Sequence, residues 1–218
     1  MLCPAGVSSE HLGDLVDNER PVVLVDRYYP DLPIPSVTSD NVRGAREATQ
    51  YLIRHGHERI ACLQGLEDST PNRDRVLGYR EALSHHKIPI DERLILGESF
   101  DQRSGYVATR LLMHAGIQFT AILAMSNQIA LGSLQAISEE GLVIPRDISM
   151  ITFDDSPYAP YLSTPMTTVE QRNAEMGQIA VQLLFAKRDS FKSTQGLLLP
   201  TRLIERESVR SLTGDAGS

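Results

Sequence analysis

The feature that most constrains the fold of this 218-residue chain is the alternation of short apolar runs with longer segments of helical periodicity. The apolar runs are rich in β-branched residues, which is typical of strands buried on both faces. They fall at residues 22–25, 59–64, 121–125 and 148–153, with weaker candidates at 94–96 and 197–204, the last interrupted by Pro200. Helical patterns occupy residues 41–55, 75–86, 104–114, 127–140 and 173–186, and a shorter one occupies 8–18. Strand–helix–strand repetition predicts an α/β fold with parallel sheets flanked by helices.

The overall charge and the apolar segments exclude several classes of partner. The formal net charge is −7 and the arginines are scattered, so the chain lacks the concentrated basic face that nucleic acid requires. No apolar run approaches the roughly 20 residues that span a bilayer. The first residues lack the basic region and long apolar stretch of a signal peptide. We therefore predict a cytoplasmic protein with no membrane partner. A separate prediction is that the last residues, from Ser211, are frayed.

Motifs for common enzyme and metal chemistry are absent from the sequence. It contains no phosphate-binding loop, dinucleotide fingerprint, nucleophile elbow or H-E-x-x-H zinc motif. Cys3 and Cys62 have no metal or redox spacing, and Cys62, inside an apolar run, is expected to be a small buried hydrophobe. We predict no catalytic residues, no metal and no cofactor, and an enzyme on this fold is the least favoured alternative.

Polar residues directly after the predicted strands are the candidate ligand contacts. Ligands of parallel α/β sheets bind outside the carboxyl ends of the strands. Carboxylates and a guanidinium can hold the hydroxyl groups of a polyol, and an aromatic face can pack against its ring. The alternative is that the acidic residues cap helices or turns and that Arg75, placed at a helix start, forms a surface ion pair. The candidates after strands are Asp26, Ser126, Asn127 and Asp154, and the others are Arg75, which opens the helix after the Gly65 loop, and Phe100 in the loop before the helix at 104–114.

Five segments resemble motifs of one bacterial family. They are residues 56–61 (GHERIA), 75–79 (RVLGY), 126–132 (SNQIALG), 141–155 (GLVIPRDISMITFDD) and 165–169 (PMTTV). In this order they resemble the effector domain of the LacI/GalR transcription regulators, and the resemblance covers roughly residues 4–206.

The resemblance implies a two-subdomain fold like that of the type I periplasmic binding proteins. The chain would cross between the subdomains near residues 38–40, 168–171 and 198–200. Residues 1–38 and 171–199 would form an N-terminal subdomain, residues 39–169 and 200–210 a C-terminal one, and residues 211–218 a tail. The first strand–helix–strand portion of the N-terminal subdomain is expected to be missing, which would leave strand edges open.

The resemblance also assigns roles to individual residues. Asp26, Arg75, Phe100 and Asp154 match effector contacts, and Ser69 matches a loop position that often contributes. The pair Ser126-Asn127 departs from the family's Asn-Asp, which removes a carboxylate, and Pro71 stands where a small hydroxyl residue is common. A dimer contact is expected at Leu131, Leu134, Tyr158, Tyr161 and Leu162.

These expectations together predict the sensory domain of a transcription regulator. It would bind a small polar effector, most simply a sugar, between two subdomains and would form a homodimer. Operator DNA would be contacted only through an N-terminal DNA-binding head that this chain lacks. The second hypothesis is a stand-alone sugar-binding protein for transport.

Overall fold

A computed structural model describes Met1, Leu12 and residues 21–185 and 196–213. The strands in these residues are β1 (Leu24–Val25), β2 (Ser36–Ser39), β3 (Ile60–Leu63), β4 (Ile95–Leu96), β5 (Ala121–Ala124), β6 (Ser149–Phe153), β7 (Thr167–Glu170), β8 (Leu197–Leu199) and β9 (Arg202–Ile204). The α-helices are α1 (Asn41–Arg54), α2 (Thr70–His85), α3 (Gln102–His114), α4 (Asn127–Glu139) and α5 (Asn173–Phe185). Short 3₁₀ helices cover Glu92–Leu94 and Ala159–Tyr161.

The strands form two separate sheets. The smaller has the order β1-β2-β8 and is parallel throughout, and the larger has the order β4-β3-β5-β6-β7-β9. Pairing in the larger sheet is parallel except for β9, which runs antiparallel to β7. The predicted α/β fold with parallel sheets flanked by helices is confirmed.

Each sheet has its own hydrophobic core. The larger core surrounds β3, β5 and β6, whose residues from Ile60 to Leu63 and from Ala121 to Ala124 are fully buried. The smaller core is built around α5 and consists of Val23, Val37, Met176, Ala180 and Leu199. The chain passes from one sheet to the other between β2 and α1, between β7 and α5, and between β8 and β9. The subdomain boundaries given above remain a prediction.

Several elements differ from the sequence pattern, and the late candidate at 197–204 is two strands, β8 and β9, in different sheets. The apolar pattern did not predict β2 and β7 as strands, because their buried residues are mostly serine and threonine, including Thr38, Ser39 and Thr167. Helix α2 begins at Thr70, with proline in its first turn, rather than at Arg75. Proline is favoured there because its missing N–H would be unpaired anyway. The predicted helix at residues 8–18 and Cys3 lie outside the described residues, apart from the helical Leu12.

The C-terminal segment packs against the larger sheet. Imidazole nitrogens of the buried His57 bond to Thr120 Oγ1 (2.9 Å) and to the Arg210 carbonyl (3.1 Å), and burial lowers the pKa of His57. The amide of Leu212 donates to the His55 carbonyl at 2.7 Å. The prediction of a frayed tail from Ser211 is therefore wrong as far as Thr213, and the rest of that tail lies outside the described residues.

Glycines allow α3 and α4 to approach closely. A Cβ on Gly132 would lie 1.9 Å from the carbonyl oxygen of Gln102, and one on Gly105 would lie 2.1 Å from that of Ile129. One turn further along α3, Thr109 donates a hydrogen bond to Ser133. The two helices can keep this spacing on the sheet only while the contact positions carry no side chain.

Gly132→Ala should destabilise the fold by about 2 kcal/mol, because the added methyl overpacks a backbone contact that cannot relax cheaply. The matched control is Gly177→Ala in α5, where a Cβ would meet nothing within 4 Å. That control should gain up to about 1 kcal/mol from helix propensity. Urea unfolding monitored by circular dichroism measures both, and equal stability of the two variants would contradict the close contact.

Candidate ligand-binding site

The buried guanidinium of Arg75 lies at the carboxyl ends of the larger sheet. Its Nε donates to Asn41 Oδ1 at 2.7 Å, and Nη1 donates to the carbonyl of Met125, the residue after β5. Its Cζ lies 4.1 Å from the centroid of the Phe153 ring, at the end of β6, which is a cation–π contact. Arg75 is only 3% exposed, so the alternative of a surface ion pair is wrong.

Asp26 faces Arg75 from the end of β1 in the smaller sheet. Its backbone is left-handed (φ 63°), a conformation that aspartate tolerates better than most residues. Its Oδ1 atom is buried and has no hydrogen-bond partner among the described residues. Burial raises the pKa of Asp26 above its ordinary 3.8, and Asp154 raises it further, while Arg75 and Arg27 oppose this shift.

Asp154, directly after β6, belongs to the same electrostatic group. It also has a left-handed backbone (φ 72°), and its Oδ1 accepts a hydrogen bond from Gln171 Nε2. The Oε1 atom of Gln171 is buried without a partner in the described part of the chain. Gln171 follows β7, where the chain leaves the larger sheet, so a side chain at a crossing point contributes to the site.

Ser69 and Phe100 lie on loops that border this group. Ser69 is the residue before α2, and its buried Oγ has no partner within residues 21–185 and 196–213. The Phe100 ring covers Gly65, at which a Cβ would come within 2.4 Å of the ring. An apolar ring thus adjoins the loop after β3, and its role as a ligand contact remains a prediction.

Ser126 and Asn127 are held by contacts within the protein. The Ser126 hydroxyl caps α4 by accepting from the Ile129 amide and also donates to the Phe100 carbonyl. Asn127 donates to Ser156 Oγ at 2.7 Å, and the Ser156 amide in turn donates to the Asp154 carbonyl. These two residues therefore support the Phe100 and Asp154 loops, and their role as direct ligand contacts remains a prediction.

Three residues that the sequence reasoning missed belong to the group. Asn41 and Phe153 fix the guanidinium of Arg75, and Gln171 fixes the carboxylate of Asp154. Their position in the sequence could have identified them, since each of the three residues lies at or just after the end of a strand. Within the described ranges, no three His, Cys, Asp or Glu side chains converge as a metal site would require.

Four of the residues predicted for the dimer contact line a groove that Asn127 and Asp154 of the candidate ligand site also line. Leu131, Leu134, Tyr158 and Leu162 line a shallow groove between α4 and the Ala159–Tyr161 turn. Tyr161 itself is 86% exposed. In the part of the chain that the structure covers, no helix combines the length and apolar character needed to cross a bilayer.

Comparison with known proteins identifies the class to which this architecture belongs. A family model described as a periplasmic binding protein-like domain matches residues 49–209. A LacI-type regulator structure from Bacillus cereus subsp. cytotoxis superposes with a TM-score of 0.87 at 31% identity, covering 94% of this chain and 73% of that one. A LacI-family regulator from Enterococcus faecium with bound ribose gives a TM-score of 0.82 at 28% identity, covering 95% of this chain and 78% of the regulator.

The chain belongs to the LacI family, within its periplasmic-binding-protein-like domain. The ribose operon repressor of Haemophilus influenzae is 33% identical over 193 residues, which are 88% of this chain and 58% of the repressor. The chain thus spans about three fifths of the length of the curated relatives it matches. These relatives are transcriptional regulators rather than enzymes.

Asp26→Asn should raise the free energy of unfolding at neutral pH. The folded protein holds the pKa of Asp26 above 3.8, so ionising this carboxyl costs stability above that pH, and a neutral amide avoids the cost. The gain should fade as the pH falls through the raised pKa of the folded state and should vanish below 3.8, where the parent side chain becomes protonated both folded and unfolded. Urea unfolding at a series of pH values measures it, with the exposed Asp31→Asn as control. A gain independent of pH would contradict this reasoning.

Proposed function

We propose that this chain is the effector-sensing part of a LacI-type transcription regulator and that it binds a neutral sugar or similar polyol between its two sheets. The observation that carries the proposal is a set of buried polar atoms without partners in the described residues, Asp26 Oδ1, Ser69 Oγ and Gln171 Oε1. Buried polar atoms ordinarily have hydrogen-bond partners, and those that lack one call for an explanation. Ligand hydroxyl groups would supply the partners.

The charges around these atoms support a neutral ligand. Asp26 and Asp154 lie near the buried guanidinium of Arg75, whose donors are already used in part by Asn41 and Met125, while Arg27 is a second cation near Asp26. A phosphate or carboxylate would meet two acidic side chains, whereas a polyol can donate hydroxyl hydrogens to both. Phe100 offers an apolar face for the carbon side of a sugar ring.

The proposed mechanism is closure of the two sheets around the effector. Asp26 stands on the smaller sheet, while Arg75 and Asp154 stand on the larger one. A ligand that bonds to both walls favours the closed arrangement and shifts the population towards it. In a complete regulator, that shift would change the spacing of DNA-binding heads on operator DNA, and we expect such a regulator to act in the cytoplasm.

Asp154→Asn should weaken sugar binding by about ten- to a hundredfold, because a charged acceptor contributes about 1.5–3 kcal/mol. Sugars, sugar phosphates and nucleobases would first be screened by thermal shift, since a bound ligand raises the melting temperature. Calorimetry with the best compound then compares Asp154→Asn with Asp68→Asn, an exposed carboxylate on the loop before α2. A sugar phosphate as the best compound, or equal affinities of the two variants, would argue against the proposal.

We also propose that the groove between α4 and the Ala159–Tyr161 turn is a homodimer contact. Tyr158 and Tyr161 expose aromatic surface beside the half-buried Leu131, Leu134 and Leu162. Aromatic residues flanking an apolar groove are typical of the centre of an interface.

Tyr161→Asp should weaken self-association at least tenfold, because a charge would be buried at the contact. Sedimentation velocity over a concentration series measures it. The control is Leu111→Asp on α3, an exposed apolar residue (56%) outside the groove. A parent chain that stays monomeric at high concentration, or a control variant that dissociates equally, would refute the contact.

A further inference from the structure

The loop after β1 makes two hydrogen bonds to the start of α2 through one residue. The backbone N–H of Tyr28 donates to Thr70 Oγ1 at 3.2 Å, and its phenol hydroxyl donates to Asp74 Oδ1 at 3.1 Å. Thr70 and Asp74 are four residues apart in α2, so they lie on one face of its first turns. Tyr28 therefore lies along the beginning of the helix and is held at both its backbone and its ring.

These bonds join the two sheets rather than two parts of one sheet. Tyr28 follows β1 of the smaller sheet, while α2 follows β3 and belongs to the larger sheet. Thr70 is buried and Asp74 is half-buried, so the bonds compete less with water than surface contacts do. Asp74 is an acidic acceptor, and hydrogen bonds to charged acceptors are the stronger kind.

The same two segments carry the candidate ligand contacts. Asp26 lies two residues before Tyr28, and Ser69 and Arg75 lie next to Thr70 and Asp74. The Tyr28 bonds can form only when these segments are near one another. The hydrogen bonds of Tyr28 therefore form together with the approach of Asp26 to Arg75.

We propose that Tyr28 is a latch that holds the two walls of the site together, through its bonds to Thr70 and Asp74, and thereby favours their closed arrangement. The inference rests on the proposed function, because a latch matters only if the walls move apart. It makes Tyr28 a positioning residue, since its own hydrogen bonds go to α2 and not to the site's unpartnered atoms. Loss of the phenol hydroxyl should shift the equilibrium towards the open arrangement by about three- to tenfold, as expected for one hydrogen bond to a charged group in a half-exposed place.

The closed population can be measured without any ligand. Two pairs of spin labels would be introduced in a Cys3→Ser chain, in which the remaining Cys62 is buried. One pair joins the exposed positions Asp31 and Asp68, on the loops that border the site. The other joins Gln182 on α5 to Asp68, so it reports the sheets rather than the loop that Tyr28 holds.

Tyr28→Phe should increase the population of long distances at least threefold in both label pairs. Tyr106→Phe is the matched control, because it also removes a phenol–carboxylate bond, from Tyr106 to Glu139, but between α3 and α4. Its distance distributions should match those of the parent. A change confined to the Asp31 pair would mean that only the loop has loosened, and that result would overturn the latch. The absence of a change in both pairs would also overturn it.

The partner residues supply a second, independent test. Asp74→Leu should open the walls as Tyr28→Phe does, and the double variant should show no further opening, because both changes remove one bond. Asp74→Asn keeps an acceptor oxygen and should restore most of the closed population. Additive effects of the two single changes would overturn the latch. Because these distances are measured without ligand, they can succeed or fail independently of the sugar-binding test on Asp154.

Discussion

The guanidinium of Arg75 carries a full positive charge where only 3% of the residue is exposed. A buried charge is tolerated only when hydrogen bonds and opposite charges replace the water that it has lost. Arg75 donates hydrogen bonds to Asn41 at the start of α1 and to the Met125 carbonyl after β5. It also makes a cation–π contact with the Phe153 ring at the end of β6. The relative positions of α1, α2 and the two central strands are thereby coupled, since displacing any one of them would remove one of the partners of this charge.

That cation also allows two acidic side chains to be held close together. Asp26 and Asp154 repel one another, and both have left-handed backbones, which costs energy for residues other than glycine. The opposing contribution of Arg75 makes the arrangement tolerable but does not pair every atom, because Asp26 Oδ1 remains without a partner in the described chain. Local strain and unpaired polar atoms at one place are typical of a binding site that sacrifices stability for function.

Hydrophobicity predicted the central strands well and the crossing strands poorly. The apolar runs identified β3, β5 and β6 to within one or two residues, because strands covered on both faces must be apolar almost throughout. β2 and β7 are equally buried but consist largely of serine and threonine, so a hydropathy pattern cannot distinguish them from loops. Thr168 shows the reason, because its hydroxyl donates to Asp155 at 2.8 Å and so satisfies a polar group that would otherwise be costly to bury.

The residues missed at the site follow directly from the strands that were missed. Asp26 and Asp154 could be predicted because each follows a recognisable apolar strand, and Arg75 because it stands at a predicted helix start and within a family motif. Asn41 and Gln171 come just after β2 and β7, so the same rule would have selected them had those strands been recognised. Both also lie where the chain passes between the sheets. The side chains that fix the site's charges are thus attached to the segments that must bend if the sheets move, so opening the walls would disturb the bonds that hold Arg75 and Asp154 in place.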